Sequence, residues 1–376
     1  MNHLWWTLPG PAEYVAGTVR AVRDGNHAVL ALPEHVPEGL RSSIRDELGT
    51  AWPWFDLPPE VEEPPVDFLF DRFVPDAAPD LLRTPQALVR QSGFANRVLW
   101  LRVCSSKQWA PWRSFLEKYR SACHSYPRQS PAQFIVTLEG EAATQTPREE
   151  TLLTVRSWRG VINELDATLY AAHLLRDRSL DHLPRQVAVS TVAAFALWDA
   201  SVADKLTADL DSALEYPKGI LCEIARDRNW DAAENPTWAS GQENVVDGEE
   251  LTHSAYCALR GNTDELERRR WRAQVGVVFP FLEQRRRDII EALEGSLWAP
   301  YTFSQNGHSR RVETVEELEF TDILRQLRDG ASASKDALRL IRRLRDMRNK
   351  LAHLETLESE NLRFPFTAKI RRILSS

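Results

Sequence analysis

One stretch near the end of the chain, Ser334 to Leu354 (SKDALRLIRRLRDMRNKLAHL), leaves little freedom in what it can fold into. Ala337, Leu340, Ile341, Leu344, Met347 and Leu351 recur at helical spacing and make one apolar stripe, which needs a partner surface to cover it. The other side carries Arg339, Arg342, Arg343, Arg345 and Arg348. Ser334 fits an N-cap, and Asp336 stands at the positive end of the helix dipole. The spacing therefore predicts an amphipathic helix packed in a bundle. Asn349 and His353 are four apart and share a face with Arg345, while Arg348 lies on the flank of that face. A cation, an amide and an imidazole thus project from one rigid element.

The sequence before it supplies the rest of a bundle. Asn262-Thr263 can cap a helix whose first turn holds Asp264, Glu265 and Glu267. That helix runs through Trp271, Val275, Val278, Phe279 and Leu282 to Ile290 and Leu293, with a kink expected at Pro280. Residues 295–311 read as a loop containing Tyr301 and His308. Thr314 to Glu317 (TVEE) reads as a capping box opening a helix with Leu318, Phe320, Ile323, Leu324 and Leu327, closed by Gly330. Phe366 to Leu374 could add a last short helix.

With Arg348-Asn349, three intervening residues and His353 late in a helix of such a bundle, the last third of the chain resembles the HEPN family. That family's motif is an Arg, usually followed by a polar residue, and a His a few positions later. The resemblance implies a HEPN-like helical bundle, usually dimeric. It also implies a metal-independent endoribonuclease, as in many members from bacterial toxin–antitoxin, phage-defence and CRISPR-associated systems. Such cleavage uses the RNA's own 2′-hydroxyl as nucleophile and leaves a 2′,3′-cyclic phosphate and a 5′-hydroxyl. Histidine is the side chain suited to moving the protons, so His353 is the candidate general acid or base. Arg348 would neutralise charge growing on the phosphate, and Asn349 would donate to a phosphate oxygen or fix the imidazole. Arg342, Arg343, Arg345 and Lys350 are candidate contacts to the RNA backbone. One His can hardly be both acid and base in one step. The family's composite cleft between two facing motifs therefore implies a homodimer or a paired subunit. No metal and no cofactor is expected. The same residues also fit a plainer reading, a solvated Arg face and a His that only caps the helix end.

The front of the chain reads as an α/β domain, residues 1–156, with strand and helix alternating in the manner of a parallel sheet. Leu4 to Leu8, Ala28 to Leu32, Val98 to Val103, Phe134 to Leu138 and Leu152 to Val155 are the strand candidates. Helices are expected over 12–24 and 109–122, and the proline-rich stretch 52–79 reads as irregular. The layout resembles a P-loop ATPase domain without its phosphate loop (Walker A). After Leu8 comes PGPAEYVAG, which has no GxxxxGK[ST], and Glu139 closes its strand without a preceding Asp. An all-α region follows. Residues 157–250 read as a helical middle region, with helices over 158–180, 187–206 and 213–228 and a linker at 235–250. His173 and His182 there read as structural. Residues 251–376 form the HEPN-like domain.

Charge divides the same way. From residue 251 onward 23 Lys and Arg face 18 Asp and Glu, and the residues before it carry 24 against 36. A basic rear behind an acidic front suits a module that meets phosphate, or two domains of one chain that attract each other. The four cysteines, Cys104, Cys123, Cys222 and Cys257, form no CxxC pair, which reads as a reduced cytoplasmic protein without structural zinc. Neither a leader nor an apolar run of membrane-spanning length is read in the sequence. The 13 Trp residues are spread along the chain and read as core anchors. Taken together, the expectation is an endoribonuclease of a bacterial defence or toxin-type system. It would be regulated by its front region and partnered by RNA, a second copy and possibly a defence-system protein. The alternative is a non-catalytic HEPN assembly subunit. A nucleotide-binding switch in the front domain is a third reading, which the missing phosphate loop disfavours.

Overall fold

The strand His27–Leu32 (β1, HAVLAL) is buried along its whole length, which a strand can be only when both faces of its sheet are covered. In the computed structural model, which describes residues 4–78, 80–126, 130–232, 235–305, 308–329 and 334–362, β1 lies inside a five-stranded sheet. The other strands are Trp54–Leu57 (β2), Val98–Val103 (β3), Gln133–Glu139 (β4) and Leu153–Ser157 (β5). Their order is β2-β3-β4-β1-β5, and every pair is parallel. Val29 pairs in register with Val136 on one side and Val155 on the other. Leu99, Leu101, Phe134 and Val136 pack with Trp109, Trp112, Phe115 and Tyr119 of the helix Ser106–Ser125.

Several expectations for this front region change. Leu4 to Leu8 is not a strand: Trp5–Thr7 is a 3-10 turn leading into the helix Pro9–Arg23. Trp5 and Trp6 are buried against Tyr170 and Trp158, with ring centroids 5.0 and 5.2 Å apart. Pro9, with its preset φ, opens the helix. The proline-rich stretch holds β2 and the helix Pro65–Phe73, because its prolines flank the strand and fill the first helical turn, where no N–H is needed. The linker expected at 235–250 gives way to a hairpin of Glu243–Val246 (β6) and Glu249–Thr252 (β7). Asp247 and Gly248 at its tip have φ of 50° and 87°, the two positive angles a tight twisted hairpin turn requires.

The chain divides into two compact units that cut across the middle region. The sheet unit takes residues up to 170, 196–202 and 222–259. The helical unit takes 171–195, 203–221 and the residues from 260 on. Middle-region residues thus belong to the helical unit's own core, where Leu183 and Val187 pack with Val278, Leu282, Leu340 and Leu344.

In the helical unit, Asn262 caps the helix Thr263–Ala292 by accepting the Glu265 N–H at 3.3 Å. That helix continues through Pro280. The expected loop at 295–311 is a second hairpin, Tyr301–Gln305 (β8) against His308–Val312 (β9), whose alternating Tyr301 and Phe303 suit a strand. Thr314 makes no side-chain cap, and Val315–Glu317 is only a 3-10 turn. The following helix is Phe320–Asp329, started by the Asp322 carboxylate accepting the Glu319 N–H at 3.1 Å. The motif helix is Lys335–Ala352, and Ser359–Leu362 follows it. Gly330 and the helix expected over Phe366 to Leu374 lie outside the described residues. Among the described residues, no helix is long and apolar enough to cross a membrane.

Candidate functional site

The motif helix forms where its stripe requires. Ser334 Oγ accepts the Ala337 N–H at 3.1 Å, and Ala337, Leu340, Ile341, Leu344, Met347 and Leu351 are all buried. Its far end is fixed with equal care. The Trp271 indole N–H donates to the Leu351 carbonyl at 2.8 Å. Gln274, itself 3 % exposed, donates to the Leu357 carbonyl at 2.9 Å and accepts the Leu357 N–H at 2.6 Å.

His353 is the C-cap residue, and its backbone N–H reaches the Asn349 and Lys350 carbonyls at 3.0 and 3.1 Å. Leu354 N–H then bonds Leu351 O at 3.2 Å, and Glu355 N–H bonds Lys350 O at 2.9 Å. This pair of bonds is the Schellman closure, which turns the chain through one left-handed residue. That residue here is Leu354, with φ of 64°. His353 is exposed beside it.

At 3.6 residues per turn, Asn349 and His353 stand about 40° apart around the axis, whereas Arg348 and His353 stand about 140° apart. The helix thus places the amide and the imidazole side by side and turns the guanidinium to the flank. There Arg348 meets Glu319 at 3.6 Å, with both side chains about 40 % exposed. Arg348 also helps to hold the Glu283 carboxyl below its ordinary range, behind the larger effect of the Arg286 hydrogen bond.

The expected backbone-binding residues separate into two groups. Arg342, Arg343 and Lys350 line a groove of about 950 Å³ together with Lys335 and Arg339. Arg343 also donates to the Glu360 carbonyl at 2.5 Å across it. Arg345 is outside that lining and is bound to its neighbour Asp346 at 2.7 Å. Arg348, Asn349 and His353 do not line the groove either.

In the sheet unit, the segment after β1 is Pro33 to Gly39 (PEHVPEG), which offers neither the lysine nor the hydroxyl of a phosphate loop. Glu139 at the end of β4 is taken up by Arg102, whose Nε and Nη lie 2.7–3.0 Å from its two oxygens. Among the described residues, no group of three or more His, Cys, Asp and Glu side chains is arranged to hold a metal ion.

Sequence reasoning missed a buried polar knot in this unit. Asp199 accepts from His253 Nε2 at 3.0 Å, pairs with Arg228 at 2.5 Å and accepts the Ser201 hydroxyl at 2.8 Å. His253 Nδ1 accepts the Ala255 N–H at 3.1 Å, so the ring hydrogen sits on Nε2 facing the carboxylate. Burial alone would raise the Asp199 pKa, but Arg228 first and His253 second hold its carboxyl well below the usual range. The partners lie up to 54 residues apart, so no spacing in the chain announces them. No protein-family model matches this chain, and no curated protein does.

Proposed function

We propose that the helical unit is a HEPN-like module and that the protein is a metal-independent endoribonuclease of a defence or toxin-type system. The observation that carries this reading is the end of the motif helix. An exposed His353 stands beside Asn349 on one face, held by a closed C-cap and by the Trp271 and Gln274 bonds. A general acid or base needs that combination of exposure and fixed position. In this reading His353 moves the proton, Asn349 steadies the phosphate or the imidazole, and Arg348 leaves Glu319 to meet the phosphate. Arg342, Arg343 and Lys350 hold the RNA backbone along the groove. A second copy supplies the other proton-transfer group. The sheet unit, P-loop-like in layout and without a phosphate loop, regulates and does not hydrolyse nucleotide.

The turn of Arg348 away from His353, into its pair with Glu319, favours a second reading. In that reading the module is a non-catalytic assembly subunit and the Arg is structural. Cleavage of a labelled RNA pool by wild type, His353→Ala and Arg348→Ala separates the two. The nuclease reading expects about a 10²–10⁴-fold loss for His353→Ala and ~10²-fold or more for Arg348→Ala. Cleavage unchanged by both substitutions would sink it.

A further inference from the structure

Among the described residues, Leu152, Leu197 and Leu354 are leucines in the left-handed backbone conformation, with φ of 60°, 54° and 64°. Side chains of that bulk rarely adopt it, because the Cβ crowds the carbonyl oxygen. Packing accounts for the first two. Leu152 lies against the core of the sheet unit, and Leu197 is buried. Leu354 is 70 % exposed. It fills the position after the C-cap in a Schellman closure, where glycine fits without strain. The fold gains no core packing from a leucine there and carries its strain. Strain held at an exposed position points to a role outside the fold's own packing.

Its place in the chain indicates that role. Leu354 follows His353 directly, with the two Cα atoms about 3.8 Å apart. Its mount is rigid. Leu354 N–H bonds Leu351 O at 3.2 Å, and Glu355 N–H bonds Lys350 O at 2.9 Å. Trp271 and Gln274 hold the Leu351 and Leu357 carbonyls on either side. An apolar side chain on a fixed support thus reaches solvent beside the imidazole. Cleavage through the 2′-hydroxyl makes a demand that this placement meets. The 2′-oxygen bonds to phosphorus as the P–O5′ bond breaks, the 2′ proton goes to a base, and the 5′-oxygen takes a proton from an acid. The attack needs the 2′-oxygen, the phosphorus and the 5′-oxygen in line, and a stacked strand holds them out of line. Parting the two flanking bases lets the backbone turn into line. Proteins part stacked bases with apolar wedges, leucine among them.

We propose that Leu354 is a wedge that enters between the two bases flanking the scissile phosphate and brings the 2′-hydroxyl into line beside His353. It positions the substrate and moves no proton. The inference rests on the endoribonuclease reading.

The test uses the full chain and a labelled RNA whose cut has been mapped. Leu354→Gly and Leu354→Asn suit the left-handed backbone and delete the wedge, and Leu354→Met keeps an apolar side chain of similar length. The glycine and asparagine variants are expected to melt no lower than wild type and to lose about 10–100-fold in kcat/KM. The methionine variant is expected to keep most of the activity. A base analogue reads the wedge itself. In an RNA with a 2′-deoxy nucleotide at the cut and 2-aminopurine beside it, wild type is expected to raise the fluorescence on binding, as unstacking does, and the glycine variant to leave it low. In a cleavable RNA that lacks the flanking base, the glycine variant should recover cleavage close to that of wild type, because no stack is left to open. Full activity in the glycine and asparagine variants, or an equal fluorescence rise in every protein, would overturn the wedge and leave the endoribonuclease reading standing. No cleavage of RNA by wild type would overturn that reading, and the wedge with it.

Discussion

Leu354 is an apolar residue, 70 % exposed, holding the left-handed conformation that closes the motif helix. That conformation costs a non-glycine residue about 1–2 kcal/mol, and glycine's larger unfolded-state entropy offsets part of the relief. Leu354→Gly is expected to stabilise the protein by about 0.5–1 kcal/mol in urea denaturation, and a net loss would contradict the strain. His27 gives a second prediction at this scale. Its pKa is about 4 in the fold against an ordinary 6.5, so between those values the unfolded chain takes up a proton that the fold refuses. The His27 contribution is intact above pH 6.5 and fades as pH falls toward 4, by up to about 3 kcal/mol. Stability measured across that window should slope upward with pH, and His27→Phe should flatten the slope. Asp199 acts in the same direction lower down. Its depressed pKa gives stability that is present above the ordinary carboxylate range and is lost as pH falls below it.

At the scale of the element, the motif helix was the most legible part of the sequence. Its stripe and its Ser334 cap follow from period and capping chemistry. Strands β1, β3 and β4 were legible for a related reason, since short apolar runs bounded by turn residues are what a covered sheet demands. Leu4 to Leu8 looked the same, yet its two indoles bury themselves against other rings instead of pairing as a strand. The β6–β7 hairpin was missed although Asp247-Gly248 is a strong turn signal, because the polar residues around it read as a linker. The Gln274 clamp on Leu357 was illegible, because its partners are 83 residues apart. It makes a prediction for the element. Gln274→Leu strands the Leu357 N–H and weakens the turn after His353, at a cost of about 1–3 kcal/mol. Hydrogen exchange should speed up over 353–358 before the rest of the helical unit. Unchanged protection there would remove Gln274 from the account.

For the whole molecule, the division into two units changes what counts as a module. A fragment of residues 251–376, the domain expected from sequence, would lack Leu183 and Val187 from its core. It would also lose the Ser190 hydroxyl bond to the Ala273 carbonyl and the Glu215 carbonyl near Arg270. That fragment is expected to melt without a cooperative transition, whereas the full chain is expected to melt cooperatively. A sharp transition for the fragment would contradict the unit boundaries. The proposed regulation by the sheet unit is therefore better tested by substitution in the full chain than by truncation.

The central claim, RNA cleavage by the motif at the end of Lys335–Ala352, is met most directly by identifying the ends of the products. Full-length protein and His353→Ala would each be incubated with labelled RNA in EDTA. The account predicts 2′,3′-cyclic phosphate and 5′-hydroxyl ends from wild type and at least a ~100-fold loss from the variant. Cleavage that needs an added metal ion, or that survives the substitution, would contradict it.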